Sequence, residues 1–334
     1  MLQSGELDFP RKVPGPNRAA LLDMVETRNE LSLVCRVPIV ARLDTDGWVR
    51  VRSKRLFYRR FGLGAKKTIL ALHGGPGLSH DYLTPLADLV GAGYEVVLYD
   101  QLGCGRSERP SDYHDYTLRA NADDVDELRR RLKLGRVHLF GHSYGGALAL
   151  EAALRHPAGL RSLVVSGGFA SVDTLWRGLR LRVNQLSKLS RDAALREDRT
   201  GVSTKAGQRA DEEFRRRFSE HLVNRPYELI ATFRKASRPI HMATGIIQPH
   251  LIEHGYRSGT LAGWDVVPKL PRLRMPVLIT VGEFDHVVPA CAREIHRGIP
   301  GSRLEIRRGE GHLPFFESRD AYVSLLREFF DRHG

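Results

Sequence analysis

Residues 137–150 constrain the fold of this chain more than any other stretch. They form a short apolar run, a sharp turn at Gly141-His142-Ser143-Tyr144-Gly145, and a segment rich in alanine and leucine. Glycine two residues before and two residues after a serine lets a strand reverse into a helix, because larger side chains would collide there. The pattern therefore predicts a strained strand-to-helix turn that presents the hydroxyl of Ser143 as a nucleophile.

Apolar runs that alternate with helical segments indicate the fold class. The runs at 68–72, 96–100, 163–166 and 277–282 are mainly apolar, as is typical of strands buried on both faces. Strands of this kind, separated by helices, predict an α/β fold with a mostly parallel sheet and helices on both faces. Four further segments complete the pattern: an alternating, half-exposed edge strand at 48–58, a helix at 82–90, and amphipathic helices at 118–132 and 318–332.

The rhythm changes between residues 169 and 265, where the sequence is polar, rich in arginine and without a strand pattern. A helical cap inserted into the sheet explains a run of this length. The predicted organisation is an N-terminal extension (1–45, with a possible helix at 17–28), a first part of the core (46–168), the cap (169–265) and a second part of the core (266–334).

Charge and cysteine content limit the partners. The 334 residues include 52 Lys+Arg and 39 Asp+Glu, which gives a net charge of +13. A basic chain can bind nucleic acid or anionic membranes, but these arginines are scattered over helical faces without a nucleic-acid-binding motif, so we expect neither partner. The three cysteines are far apart, and the sequence has neither a signal peptide nor an apolar span, so a cytoplasmic location is predicted.

A serine nucleophile needs a general base and a group that orients this base. In enzymes with this turn, the acid and then the histidine follow the serine along the chain, each on a loop after a strand. Asp285 follows the apolar run 277–282, and His312 follows the strand predicted at 303–307. We therefore predict Asp285 as the acid, with Glu283 and Asp265 as alternatives, and His312 as the base.

The sequence also contains other histidines and a glycine-rich loop close to these candidates. His142 is adjacent to Ser143 but is expected to point elsewhere, and His286 and His296 are assigned to the acid loop and the helix after it. The loop 73–77 lacks the Gly-Lys-Ser/Thr ending of a phosphate-binding loop. Its backbone is predicted instead to help form an oxyanion hole, with the N–H groups of Gly75 and Tyr144 as donors.

Several motifs together resemble the proline iminopeptidase family of α/β-hydrolases, over a region from about residue 48 to the C-terminus. They are His73-Gly74-Gly75-Pro76-Gly77, Asp100-Gln101-Leu102-Gly103-Cys104-Gly105-Arg106-Ser107, Gly141-His142-Ser143-Tyr144-Gly145-Gly146, Ser166-Gly167-Gly168, Gly259-Thr260 with Trp264-Asp265, Gly282-Glu283-Phe284-Asp285 and Gly311-His312. The resemblance implies an α/β-hydrolase fold, a triad of Ser143, Asp285 and His312, and a helical cap that holds the substrate.

One departure from the family pattern concerns substrate binding. Family aminopeptidases hold the free amino terminus with acidic cap residues, one of them in a motif like Gly-Pro-x-Glu-Phe. The corresponding stretch here resembles Gln248-Pro249-His250-Leu251-Ile252, with Leu251 where glutamate is expected. A buried ammonium needs a carboxylate partner, so Glu220 or Glu253 would have to replace it, and Gly74 is predicted to line the same site.

The sequence thus predicts a serine hydrolase that needs no metal or organic cofactor and forms an acyl-enzyme at Ser143. The leading substrate is an N-terminal proline or other amino-acid amide, or a short peptide. The alternative is an ester, lactone or amide of a small metabolite, with the amine site lost. An acyltransferase would keep the same residues, whereas a non-catalytic receptor on this fold would usually have lost one. The oligomeric state is not predicted.

Overall fold

Eight strands form one sheet in the computed structural model, which describes residues 43–110, 116–200, 202, 204–237 and 259–334. Their spatial order is β1-β2-β4-β3-β5-β6-β7-β8. The strands are β1 (Leu43–Val51), β2 (Lys54–Phe61), β3 (Lys67–Leu72), β4 (Tyr94–Tyr99), β5 (Val137–His142), β6 (Leu160–Ser166), β7 (Val277–Gly282) and β8 (Arg303–Arg307). From β4 to β8 in this spatial order, every strand is parallel to its neighbours. The strand β2 is antiparallel to both of its neighbours, β1 and β4. The predicted α/β fold is confirmed.

Helices cover both faces of this sheet. In β3, Ile69 packs on one face with Phe330, while its neighbour Leu70 packs on the other face with Leu148. This alternation explains why most positions of the central strands are apolar. The helices are α1 (Leu118–Arg131), α2 (Tyr144–Arg155), α3 (Val172–Asn184), α4 (Lys188–Thr200), α5 (Lys205–Phe218), α6 (Tyr227–Arg234), α7 (Pro289–Gly298), α8 (Pro314–Glu317) and α9 (Arg319–Arg332).

Two local predictions differ from the structure. The alternating segment 48–58 is not one strand but parts of β1 and β2, joined at Arg52 and Ser53, whose φ angles are 44° and 69°. Two consecutive positive φ values match the tight hairpin turns that usually contain Asn-Gly, and that signal is absent here. The helix expected at 82–90 is a 3₁₀ helix, His80–Ala92, which contains Pro85.

The described part of the segment between β6 and β7 is helical and includes α3, α4, α5 and α6. The chain leaves and re-enters the core at adjacent points, because Ser171 and Asp265 form an antiparallel bridge. On either side of it, Val172 N donates to Trp264 O (3.0 Å) and Val266 N donates to Ala170 O (2.9 Å). The exact domain boundaries remain a prediction.

The predicted N-terminal extension up to residue 42, with its helix at 17–28, lies outside the described residues, and so does 238–258. Leu251 and Glu253 fall in the second of these ranges. Within the described ranges, no helix combines the length and apolar character needed to cross a bilayer.

Candidate active site

Ser143 occupies the turn between β5 and α2. Its φ of 58° and ψ of −125° lie in a sparsely populated region, which costs a residue with a β-carbon about 1–3 kcal/mol. The Ser143 N–H donates to the carbonyl oxygen of Ser166 (2.9 Å). A β-carbon at Gly145 would overlap the backbone oxygens of Leu72 and His73, and one at Gly74 would lie 2.5 Å from the β-carbon of Ser143. The glycines therefore allow β3 and the loop after it to pack against the turn.

Asp285 and His312 meet beyond the ends of β7 and β8. The Nδ1 atom of His312 lies 2.8 Å from Oδ1 of Asp285, and this oxygen also accepts a hydrogen bond from the Val287 N–H (2.7 Å). The two alternative acids bond elsewhere. Glu283 is exposed and accepts from the Gly309 N–H (3.0 Å), and Asp265 accepts from the Val267 N–H (2.8 Å). Of the three candidates, Asp285 is the one that contacts the histidine.

Burial acts against charge on both members of this pair. It raises the pKa of Asp285 to about 8, and the neighbouring His286 ring, the hydrogen bond from the Val287 N–H and the Arg182 guanidinium oppose this rise. Burial also lowers the pKa of His312 to about 3. The neutral imidazole is the form that can accept a proton, and the hydrogen bond between Nδ1 and the Asp285 carboxyl group fixes its orientation.

Two further histidines contact His312, and the sequence assigned neither to the site. The His142 ring lies 4.4 Å from that of His312, and its Nε2 donates to the carbonyl oxygen of His312 (2.8 Å). The Nδ1 atom of His142 lies 2.9 Å from Tyr82 Oη, so both ring nitrogens are engaged by groups other than Ser143. The His286 ring lies 4.0 Å from that of His312 on the same measure of ring centroids, and its Nδ1 lies 3.0 Å from Oγ of Ser219. The only signal in the sequence was the position of His286 directly after Asp285.

The backbone around Ser143 offers N–H donors. Tyr144 is the first residue of α2, and the first N–H groups of a helix have no partner within it. The Gly74 N–H donates to Oη of Tyr82 (2.5 Å), so it is already engaged. Gly75 follows with a φ of 48° and, like Tyr144, lines the same cavity as Ser143. Both residues of the expected donor pair thus line the cavity, and their role as an oxyanion hole stays a prediction.

A cavity of about 630 Å³ lies over Ser143 and His312. Aromatic and aliphatic side chains from the core and the cap form much of its wall, and the charged residues on the wall are Asp211, Glu212, Arg215, Glu220 and Arg225. Three carboxylates and two guanidiniums give this described part of the wall a formal charge of −1, although the whole chain carries +13. The cavity is thus of a size and polarity that suit a small molecule with a positive group.

Glu220 is the one predicted amine-binding residue that the structure describes, and it is buried on this wall. Its Oε2 accepts from Arg215 Nη1 (3.0 Å) and Arg225 Nε (2.7 Å), and its Oε1 accepts from Arg225 Nη2 (3.0 Å). A carboxylate offers about four acceptor positions, so one remains on Oε1.

Asp285, His286 and His312 are also the described residues whose ligand atoms are grouped closely enough to hold a metal ion, within 4.8 Å of one another. Two of these atoms already share a hydrogen bond, which suits proton transfer. The absence of a metal or cofactor requirement stays a prediction.

We expect acid to destabilise the fold because of four buried histidines outside the Asp285–His312 pair. Burial lowers the pKa of His286 to about 3, of His73 and His138 to about 4, and of His142 well below its usual range. As the pH falls from about 6.5 towards 4, the unfolded chain binds protons that the folded chain refuses. The free energy of unfolding then falls by up to about 1.4 kcal/mol per pH unit for each histidine.

For the Asp285–His312 pair, the raised pKa of Asp285 and the lowered pKa of His312 change the free energy of unfolding in opposite directions as the pH falls. Urea unfolding at pH 7.0, 6.0, 5.0 and 4.5 measures the effect as a falling midpoint concentration. A midpoint that stays constant down to pH 4.5 would show that these histidines become protonated in the folded state.

Comparison with known proteins identifies the family. The family model described as the alpha/beta hydrolase fold matches residues 67–318. A proline iminopeptidase of Saccharolobus solfataricus is 35% identical over 294 residues, which cover 86% of this chain and 92% of the relative. The crystal structure of proline iminopeptidase from Mycobacterium smegmatis has a TM-score of 0.79 and 25% identity, with 86% of this chain and 98% of the other covered.

The crystal structure of VinJ has a TM-score of 0.81 at 28% identity and covers 88% of this chain and 100% of VinJ. The family model spans most of this chain, and the Saccharolobus solfataricus relative is matched over nearly its whole length. Both findings agree with the fold and the serine-bearing turn described above, and the chain therefore belongs to the proline iminopeptidase family of α/β-hydrolases.

Proposed function

We propose that Ser143, His312 and Asp285 form the catalytic triad of a serine hydrolase that cleaves an N-terminal proline or another amino acid from an amide or short peptide. The observation that carries this proposal is the 2.8 Å contact between His312 Nδ1 and Asp285 Oδ1, beside a cavity that also contains Ser143 at its strained turn. Because Asp285 engages Nδ1, the other ring nitrogen of His312 is left to act on the serine hydroxyl.

The reaction proceeds in two halves. His312 removes the proton of the Ser143 hydroxyl as the oxygen attacks the substrate carbonyl, and then gives this proton to the leaving amine. Water, activated by the same imidazole, hydrolyses the acyl-enzyme and regenerates the serine. The imidazolium formed in each half is stabilised by the adjacent Asp285 carboxylate.

The negative charge that develops on the carbonyl oxygen requires fixed donors. The N–H groups of Gly75 and Tyr144 fill this role, and the loss of one such donor typically costs about 10²–10³-fold in kcat. Gly74 contributes by its lack of a side chain, since a β-carbon there would press against Ser143, where the substrate carbonyl must lie.

The free amine of the substrate is assigned to Glu220. The two arginines hold this carboxylate in place, and the described charges of the cavity wall sum to −1. An ammonium at the remaining acceptor position of Oε1 would gain a charged hydrogen bond. Whether Glu253 contributes lies outside the described residues.

One observation favours a second function, the hydrolysis of an ester, lactone or amide of a small metabolite. Arg215 and Arg225 already satisfy most of the Glu220 carboxylate, and Arg215 also pairs with Glu212. A site neutralised in this way gives an ammonium less attraction than an unpaired glutamate would. Under this reading the apolar wall alone would select the acyl group.

A paired assay separates the two functions. We expect the purified protein to cleave proline p-nitroanilide as well as p-nitrophenyl acetate. Replacing Glu220 with glutamine removes a charged hydrogen bond worth about 1.5–3 kcal/mol, so the KM for the anilide is expected to rise about 10–100-fold. Turnover of the ester, which has no amine, should not change.

The matched control is Glu228→Gln, which makes the same change on the cap helix α6 but away from the cavity wall. It should behave as wild type with both substrates, and melting curves of both variants report folding. An equal loss on both substrates in Glu220→Gln would contradict amine recognition at Glu220. Cleavage of the ester alone by the wild-type protein would establish the second function.

A further inference from the structure

A buried arginine of the cap contacts the loop that carries Asp285. Arg182 lies in the last turn of α3, and only 8% of its surface is exposed. Its Nε donates to the carbonyl oxygen of Asp285 (3.0 Å), and its Nη2 donates to the carbonyl oxygen of Glu283 (2.8 Å). One planar guanidinium thus holds both ends of the three-residue segment 283–285.

This arrangement needs the shape of a guanidinium. Arginine presents its donors in a rigid fork, so that two carbonyl oxygens can be bound at once with little loss of freedom, whereas the single ammonium of lysine is a flexible point donor. The third nitrogen, Nη1, donates to the side-chain oxygen of Gln185 (3.3 Å), and the guanidinium carbon lies 4.9 Å from the centre of the Phe218 ring. The fork is therefore fixed from the cap side as well.

The charge of Arg182 is not used in a close ion pair. Among the described carboxylates, none lies within 4.0 Å of its nitrogens, and its hydrogen bonds go to carbonyl oxygens and an amide. A buried positive charge without a close carboxylate is costly. Burial accordingly lowers the pKa of this guanidinium, and the attraction of Asp285 opposes the change. The acid close to this charge is Asp285, so the positive charge of Arg182 acts on the Asp285 carboxylate.

The cap also binds the loop of His312, which we call the base loop, and the residue after Asp285 through backbone hydrogen bonds. The His312 N–H donates to the carbonyl oxygen of Ser219 (3.1 Å), and the His286 N–H donates to that of Phe218 (2.8 Å). Phe218 and Ser219 directly follow each other at the end of α5, and Phe218 also packs under Arg182. The cap therefore contacts the acid loop and the base loop through one continuous cluster.

We propose that Arg182 is a positioning residue for hydrolysis: it holds segment 283–285 so that the Asp285 carboxylate is directed at His312, and its charge favours the ionised carboxylate. The inference rests on the proposed triad. It gives the cap a role in catalysis that is separate from substrate binding, because Arg182 does not line the cavity.

The test compares Arg182→Met with Arg182→Lys in the full chain, using p-nitrophenyl acetate so that amine recognition plays no part. Methionine removes both the fork and the charge, while lysine keeps the charge and loses the fork. Because a misplacement of about 1 Å can cost about 100-fold in rate, we expect kcat of Arg182→Met to fall by about that factor with little change in KM. Arg182→Lys should recover only part of kcat.

The pH profile of kcat/KM separates the two contributions. The titratable and charged groups around Asp285 and His312 are Arg182, His286, His142 and the buried thiol of Cys291. Removing the positive charge of Arg182 makes protonation of the pair easier. The acid limb of the profile should move to higher pH in Arg182→Met and stay in place in Arg182→Lys. A change of packing alone would not produce this difference.

The matched control is Arg177→Met, which makes the same substitution at an exposed position of α3. It should match the wild-type kcat and pH profile. If folded Arg182→Met has the same kcat and acid limb as this control, or shows only a raised KM, the proposal is overturned. Should Arg182→Met fail to fold, an unchanged kcat in folded Arg182→Lys overturns it. Activity that survives Ser143→Ala would instead refute the proposed triad, whatever the arginine variants show.

Discussion

Alanine at position 143 is expected to lower kcat for both the anilide and the ester by a factor on the order of 10⁶, because no other group would form the acyl-enzyme. The remaining rate should stay above that of the uncatalysed reaction, since the cavity and the N–H donors persist. The measurement is a steady-state assay at high enzyme concentration, together with a covalent serine-directed inhibitor that should no longer label the protein.

The fold of Ser143→Ala should be unaffected, because alanine also has a β-carbon at this strained turn and the N–H bond to Ser166 is retained. A melting temperature close to that of wild type is the control for this point. Substantial hydrolysis by a preparation free of wild-type protein would mean that the nucleophile is another residue.

Asp285→Asn is expected to lower kcat about 10⁴-fold while the geometry is preserved. Asparagine can still accept the Val287 N–H, but its amide cannot both accept from His312 Nδ1–H and stabilise an imidazolium. The imidazole would then change its tautomer and present an N–H, not a lone pair, to Ser143. Steady-state kinetics over pH 6–9 measures the loss.

Although Asp285→Asn should lower activity, we do not expect it to lower the stability of the fold. Burial raises the pKa of Asp285, so its charge is unfavourable where it lies, and a neutral amide should leave the melting temperature unchanged or higher. Glu283→Gln, two residues earlier on the exposed side of the loop, is the control and should keep its activity. A large drop in melting temperature of Asp285→Asn would assign the lost activity to unfolding.

The parts of the molecule that the sequence predicted well depend on local rules. The glycines around Ser143 are needed because residues only a few positions apart are in steric contact at this turn. The strands are mainly apolar because both of their faces are buried. The order serine, acid, histidine then placed Asp285 and His312 after the correct strands. Each inference used neighbouring residues or the order of elements, which a sequence displays directly.

The features that were missed depend on contacts between distant residues. Nothing near Arg182 indicates that its side chain reaches the carbonyl oxygens of Glu283 and Asp285, about a hundred positions away in the chain. In the same way, the sequence offered Glu220 as a carboxylate for an amine, but not the two arginines that bind it. The hairpin turn at Arg52 was missed because its positive φ values occur without glycine or asparagine.

The bridge between Ser171 and Asp265 has a consequence for how members of this family can diverge. Because the chain departs and returns at neighbouring points, recombination could exchange the intervening segment without altering the order of the strands. Such a graft would inherit new specificity but would lose Arg182 and its hold on the acid loop. A chimaera should therefore be functional only if its donor segment supplies a cation that binds the carbonyl oxygens of Glu283 and Asp285. This single contact would decide which segments can be exchanged.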